Sequence, residues 1–437
     1  MTSFPEFPHV FRLGNILAMA VVVWLVPLMM VPVFIWLERK GSATIQDRLG
    51  PNRASILGIR LFGMLHNIAD AVKLFMKEDV LPKRADRLAY YLAPALSMTF
   101  ALLPLMVVPF AEPLSLWGET LRFVTAPTEV GLLLLLALSG LGVFGVLLAG
   151  WGSNNKFSMM GGLRASSQFL SYELGVGLAA LGLLMAYGTA DVARLVEAQG
   201  RDLVVMGRTL PLPAWGILTQ PIGFLLFLVG AFAETNRTPF DLPEGDSELV
   251  SGFHMEYSSM KFALFFMSEY AHMTVASVVL ATLFLGGYQV PFVATETLRS
   301  HPKEVLGAWC VGVALGGLFL APILGILAIK RPYDKGGRRE LTLYAAACLV
   351  ATVGALVILS FLPGWAPPMW VSPALTALTQ AACLMAKAFF FCWLFVWVRW
   401  TLPRFRFDQL MDLGWRMLLP LGLLNAVATG LYGVLAR

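Results

Sequence analysis

An all-α polytopic membrane protein is the fold class this sequence predicts, and three observations predict it. Of its 437 residues, 58% are hydrophobic and 14% are charged, where a soluble protein carries about 25% charged residues. Apolar runs of roughly 20 residues recur along the whole length, each long enough to cross a bilayer core. The runs are continuous rather than alternating, which excludes an outer-membrane barrel. The Lys and Arg residues between the runs are crowded in some loops and sparse in the next.

The runs predict about ten transmembrane helices in a single integral membrane domain, 1–437. They lie near 15–37, 88–110, 130–151, 168–187, 214–233, 261–286, 304–329, 341–362, 375–398 and 416–435. The first has no small-residue cleavage site behind a short apolar core and reads as a retained span, not a signal peptide. Bases then divide sharply: 23 fall in segments 38–87, 152–167, 234–261, 330–340 and 399–416, and eight fall on the opposite side. The positive-inside rule puts the 23-base side in the cytoplasm and both termini outside.

The first cytoplasmic loop, 38–87, carries ten bases against six acids. Within it, Phe62, Leu65, Ile68, Val72 and Phe75 recur at helical spacing, with His66, Asp70, Lys73 and Lys77 on another face. This pattern predicts an amphipathic helix over 59–76, lying at the interface or against the bundle. On spacing alone, Asp70 and Lys73 read as a surface pair worth a few tenths of a kcal/mol. The loop 234–261 has the opposite balance, two bases against six acids. Two such loops either pair with each other, present a mixed surface to a soluble partner, or are solvated independently.

Several charges fall inside or at the ends of spans: Glu173 in the fourth, Glu269 in the sixth, Lys387 near the middle of the ninth, and Glu38 and Glu234 at cytoplasmic ends. Each mid-membrane charge costs at least ~2.5 kcal/mol to insert, so each is expected to face the bundle or a wet cavity. The alternatives are interhelix hydrogen-bond glue and a polar path from the cytoplasm toward Lys387; the set as a whole favours the path. The four cysteines, Cys310, Cys348, Cys383 and Cys392, form no Cys-x-x-Cys pair and read as buried thiols. The five histidines do not cluster. No metal, flavin, haem or iron–sulfur cluster is expected in this chain.

Ordered motifs carry a resemblance. Leu37-Glu38-Arg39-Lys40 is followed by Arg48-Leu49-Gly50-Pro51-Asn52-Arg53, then Ala69-Asp70-Ala71-Val72-Lys73. Next come Gly150-Trp151-Gly152-Ser153-Asn154-Asn155-Lys156 and Ser171-Tyr172-Glu173. The longest is the acidic stretch from Glu234 to Tyr257, and the last is Pro403-Arg404-Phe405-Arg406-Phe407-Asp408. Together they resemble the quinone-chamber membrane subunit of respiratory complex I, the H-type subunit of bacteria and its mitochondrial counterpart. The motifs cover about 15–290 and 375–435; segment 300–370 reads as an inserted two-helix unit of unknown role added to a family-like eight spans.

The resemblance implies a proton-pumping NADH:quinone oxidoreductase subunit with no redox centre of its own. It implies a chamber for quinone (ubiquinone or menaquinone) along Arg39, Arg48, Arg53, Asp70, Ala71, Lys73 and Phe75. It implies a coupling route of Glu38, Tyr172, Glu173, Glu234, Asp241, Glu244, Glu248, Glu256, Glu269, Lys387 and Arg399. Some relatives have an acid in the third span where this chain has Gly140. The implied partners are peripheral-arm quinone-site subunits, small and antiporter-like membrane subunits, and lipid, with no nucleic acid. The implied location is a bacterial plasma membrane. Two other readings stay open on the sequence: the homologous subunit of a hydrogenase or ferredoxin-linked complex, and a stand-alone ion transporter, for which the internal repeat of many such folds is missing.

Overall fold

In a computed structural model, the described residues are 8–435 without 57–58, 117–118, 206–207, 244, 246–249, 330–334, 366 and 369. Among them, nine helices are long and apolar enough to cross a membrane. In chain order the helices are α1 (Pro8–Ile45), α2 (Leu65–Met76), α3 (Arg87–Leu102), α4 (Gly131–Gly140), α5 (Gly142–Gly152), α6 (Lys156–Tyr187), α7 (Val192–Gln199), α8 (Gly216–Thr219) and α9 (Pro221–Glu234). They continue with α10 (Ser259–Phe284), α11 (Thr295–Ser300), α12 (Pro302–Ile329), α13 (Lys335–Phe361), α14 (Val371–Thr401), α15 (Phe407–Asp412) and α16 (Leu419–Leu435). Two short antiparallel hairpins, Leu114–Leu116 with Glu119–Leu121 and Asp202–Val205 with Arg208–Pro213, are the strand pairs.

α10 is the most enclosed of the long helices. Three of its buried hydroxyls are satisfied within the helix: Thr274, Ser277 and Thr282 each donate to the carbonyl four residues back. α1, α3, α9 and α14 pack around it, and α6 joins through α5 and α9. The core between them is built from buried Leu, Val and Phe side chains, among them Phe34, Leu102, Leu183, Phe284, Phe391 and Phe395. α12 and α13 pack chiefly on one another at the periphery.

Three elements differ from the sequence expectation. The run at 214–233 is broken: α8 ends at Thr219, Gln220 leaves the helix, and α9 restarts at Pro221. Proline has no N–H to continue the ladder, and Gln220 turns its side chain to Asn425 Nδ2 at 2.9 Å and Thr429 Oγ1 at 2.8 Å. α1 continues to Ile45, so Glu38 and Arg39 belong to a helix and not to the following loop. α6 begins at Lys156, which moves Glu173 from about a turn and a half inside its span to near its middle.

The amphipathic helix also differs. It starts at Leu65, after a turn in which Leu61 and Phe62 have left-handed φ values of 46° and 54°. Of the apolar stripe, expected to lie at the interface or against the bundle, Ile68 and Val72 are 55% and 58% exposed, while Phe75, 73% exposed, sits at the groove edge. The stripe of Asn67, Asp70, Ala71 and Leu74 faces inward instead. Polar ties replace apolar burial: Asn67 Nδ2 donates to the Pro32 carbonyl at 2.6 Å, and Ser259 Oγ donates to the Leu74 carbonyl at 3.1 Å.

Candidate functional site: an apolar groove beside a buried ion network

α1, α2 and the start of α10 enclose a groove of about 460 Å³, within the range of ligand-sized cavities. Val31, Ile35, Leu74, Phe262, Phe266 and Met267 give it apolar walls. Its polar groups are Arg39, Asn67, Asp70 and Lys73. Arg39 Nη1 meets Asp70 Oδ2 at 2.6 Å, and Lys73 Nζ lies 3.8 Å from Asp70 Oδ1. Asp70 thus joins α2 to α1 and is more than the local surface pair that spacing suggested. A cavity with charged groups on one side and hydrocarbon elsewhere suits an amphiphile with a polar head.

Of the residues the resemblance assigned to a chamber, Arg39, Asp70, Ala71, Lys73 and Phe75 line this groove. Arg48 and Arg53 do not. Both are exposed, and Arg48 Nε bonds Gln46 Oε1 at 2.8 Å in its own turn.

One helical residue before Arg39, Glu38 points the other way. Its Oε2 accepts Tyr270 OH at 2.9 Å and lies 3.3 Å from Arg237 Nη1; its Oε1 lies 2.5 Å from Arg399 Nη1. Arg237 stacks over the Tyr270 ring at 4.0 Å and reaches Glu269 Oε2 at 3.9 Å. This network unites α1, α10, α14 and the loop after α9. The loop is shaped by buried Gln168, whose Nε2 donates to the carbonyls of Ala233 and Phe240 at 2.8 and 3.0 Å. Asp241 bonds Arg404 at 2.7 Å. Burial outweighs the pull of that guanidinium and pushes the Asp241 carboxyl up to about 6. Burial likewise raises the Tyr257 phenol.

Glu234, Glu269, Asn236 and His272 share a small cavity of about 40 Å³ with Phe169 and Ser268, room for one or two waters. Glu234 is buried, and its Oε1 has no hydrogen-bond partner among the described residues. Glu173 lies close enough for its charge to act on Glu234. The Glu173 carboxylate occupies the space over Gly140, where any Cβ would overlap it. Gly140 therefore leaves room for Glu173.

The remaining predicted positions scatter. Tyr172 is buried and donates to the Leu410 carbonyl at 2.9 Å. Glu256 accepts from Asn155 Nδ2 at 2.6 Å. Lys387 donates to the carbonyls of Leu285, Gly287 and Gln289 at 2.7, 2.9 and 2.6 Å. It caps the far end of α10, some 24 Å along that helix from Glu269 at ~1.5 Å per residue. Lys387 is thus a helix cap there and does not join the glutamate cluster, whereas Arg399 does. Glu244 and Glu248 lie outside the described residues. Among the described residues, no group of three or more His, Cys, Asp or Glu is placed to hold a metal ion.

Arg237, Tyr270, Arg404 and His272 escaped the sequence reading. Arg237 had a signal: it is the one base among the six acids from Glu234 to Glu256. The oppositely charged loops do meet, but with reversed signs. Lys261 Nζ of the acidic loop forms an ion pair with Asp79 Oδ1 of the basic loop, 3.0 Å away.

Comparison with known proteins fixes the family. The sequence profile of the NADH dehydrogenase family matches residues 17–328 and 336–430. The chain belongs to the family of H-type subunits of NADH-quinone oxidoreductase. It is 39% identical to the H-type NADH-quinone oxidoreductase subunit of Bdellovibrio bacteriovorus over 424 residues, 94% of this chain and 93% of that one. It is 40% identical to NADH-quinone oxidoreductase subunit 8 of Rhodothermus marinus over 399 residues, 91% of each chain. Against the H-type subunit of Salinibacter ruber the identity is 37% over 401 residues, 92% of this chain and 91% of that one. The family match runs through α12 and nearly all of α13, so it takes in most of segment 300–370, which the ordered motifs did not reach.

Proposed function

We propose that this chain is the membrane subunit of a proton-pumping NADH:quinone oxidoreductase that forms the quinone chamber and passes on the charge change of quinone reduction. The groove of about 460 Å³ between α1, α2 and α10, with Asp70 and Arg39 at its polar side, is the observation that carries this reading. The apolar walls suit an isoprenoid tail, and the ion pair suits a carbonyl head that gains negative charge and then protons. The electrons come from redox groups held by peripheral-arm subunits. Arg39 and Glu38 are consecutive, so a change at the Asp70–Arg39 pair acts on the same helical turn that holds Glu38 against Arg237 and Arg399. From there, Glu269, Glu234 and Glu173 offer the next carboxylates toward antiporter-like partner subunits, with Tyr172, Asp241 and Glu256 in the surrounding shell. With the broken α8–α9 run counted as a crossing beside the nine longer helices, the 23-to-eight split of bases supports both termini outside, and the family suggests a bacterial plasma membrane.

The test is Asp70→Ala in the intact complex. NADH:quinone turnover should fall about tenfold, equivalent to ~1.4 kcal/mol, while NADH:ferricyanide reduction, which bypasses the chamber, stays intact. Normal quinone turnover in an assembled Asp70→Ala complex would remove the groove from the reaction.

A further inference from the structure

The peripheral pair α12–α13 touches the rest of the molecule sparingly, and one contact is chemically specific. Glu340, buried near the start of α13, accepts the backbone N–H of Phe62 at 2.9 Å. Tyr344, one turn on, donates its hydroxyl to the same Glu340 oxygen at 2.7 Å and stacks its ring on Phe62, centroids 4.6 Å apart. From the opposite side, Trp36 Nε1 of α1 donates to the Phe62 carbonyl at 2.9 Å. Both backbone polar groups of Phe62 are therefore held by side chains from distant elements.

The backbone at this point needs holding. Leu61 and Phe62 have φ of 46° and 54°, left-handed values that a non-glycine residue keeps only when its surroundings impose them. Gly63, at φ 94°, then passes so close to the Pro51 carbonyl that any Cβ would collide with it. α2 begins two residues later, and its inward stripe forms one wall of the groove. Because the more apolar stripe of α2 faces outward, little apolar burial fixes the helix, and its position depends on a few polar ties and on its anchored start.

We propose that Glu340 and Tyr344 are positioning residues: through Phe62, the α12–α13 pair fixes the start of α2 and so sets the width of the groove. Neither residue lines the groove; they act through the backbone of the turn. This rests on reading the groove as the quinone site. It also gives the peripheral helix pair a role in the reaction.

The experiment compares Glu340→Ala and Glu340→Gln in the complex isolated from its own membranes, with Asp70→Ala in parallel. Three quantities are read: KM and kcat for a short-chain quinone, NADH:ferricyanide activity, and hydrogen exchange over residues 60–76. Glu340→Ala should raise the quinone KM about fivefold with kcat within about twofold, leave ferricyanide reduction intact, and speed exchange over 60–76. Glu340→Gln keeps an oxygen that accepts the Phe62 N–H and should restore both the KM and the exchange rate. If Glu340→Ala fails to assemble, Tyr344→Leu, which removes the stack and leaves the carboxylate, should raise KM in the same direction. An unchanged KM in the assembled variant, with or without faster exchange, overturns the proposal, and so does a KM rise that glutamine does not reverse. If Asp70→Ala impairs quinone turnover while Glu340→Ala does not, only the positioning role fails. If Asp70→Ala is also silent, the reading of the groove fails with it.

Discussion

Glu38 and Arg39 adjoin in the chain, yet one belongs to a buried ion network and the other to the wall of an apolar groove. Successive helical residues point about 100° apart, so one turn of α1 serves both regions. Their surroundings differ in kind. The Glu38 and Arg237 side chains are 9% and 3% exposed, whereas Arg39 and Asp70 are 41% and 35% exposed. A buried ion pair stripped of one partner leaves a charge in a medium that cannot solvate it, at a cost of about 3–5 kcal/mol. A half-exposed pair contributes about 0–1 kcal/mol to stability. The network side of α1 is therefore where the fold is vulnerable, and the groove side is where chemistry can change without loss of fold.

The largest expected effect breaks the network. Arg237→Met removes one of the two guanidinium partners of Glu38 and the cation stacked on Tyr270. Arg399 remains, so the expected loss is about 3 kcal/mol, the lower end for a stripped buried pair. It would be read as a fall in the thermal midpoint of the isolated complex and a lower yield of assembled enzyme. Arg39→Met on the groove side should shift the midpoint by less than about 1 kcal/mol equivalent while lowering quinone turnover. Equal destabilisation by the two substitutions would erase the distinction between the regions.

A smaller effect sharpens it. Glu234→Gln keeps the volume of a buried side chain whose Oε1 has no hydrogen-bond partner among the described residues. Stability should hardly move. If Glu234 carries coupling charge, proton pumping and quinone turnover should fall together, by roughly three- to tenfold. Tight coupling at full turnover in that variant would take Glu234 out of the route and leave the small cavity beside His272 as packing.

The two regions were not equally legible in the sequence. The groove was readable because α2 announces itself by period and because Arg39, Asp70, Ala71 and Lys73 fall within two short motifs, with Phe75 two residues past the second. Yet its orientation was not. Hydrophobic period predicts which residues share a face, not whether that face meets the core, and here the polar ties of Asn67 and Asp70 turn the Ile68–Val72 stripe outward. The network was half legible: isolated acids in apolar runs are conspicuous, but the partners of Glu38 come from 199 to more than 350 residues away, and no local pattern pairs Glu38 with Arg399. Lys387 was conspicuous as a mid-span cation, but its partners, three backbone carbonyls beyond α10, could not be read from spacing, although cations commonly sit at helix C-termini. The broken span at Gln220 was signalled by Pro221, but the Asn425 and Thr429 partners that make the break tolerable lie two hundred residues on.

A pH-dependent effect separates the loop edge of the network from the groove. Asp241 titrates in the folded protein at about 6, above its ordinary value of 3.8. A carboxyl raised on folding contributes stability that is fully present below the unfolded value and is lost as pH rises through the folded one. Between about pH 4 and 6, wild type should therefore lose stability relative to Asp241→Asn, which has no carboxyl to deprotonate there. The gap between 3.8 and about 6 bounds the change at ~3 kcal/mol. That gap already includes the opposing pull of Arg404. The measurement is the difference in thermal midpoint between the two proteins at successive pH values. A difference that moves in wild type's favour as pH rises would mean that Arg404, not burial, controls this carboxyl. Asp241 would then be an ordinary ion-pair acid like Asp70, and the contrast between network and groove would stop at Glu38.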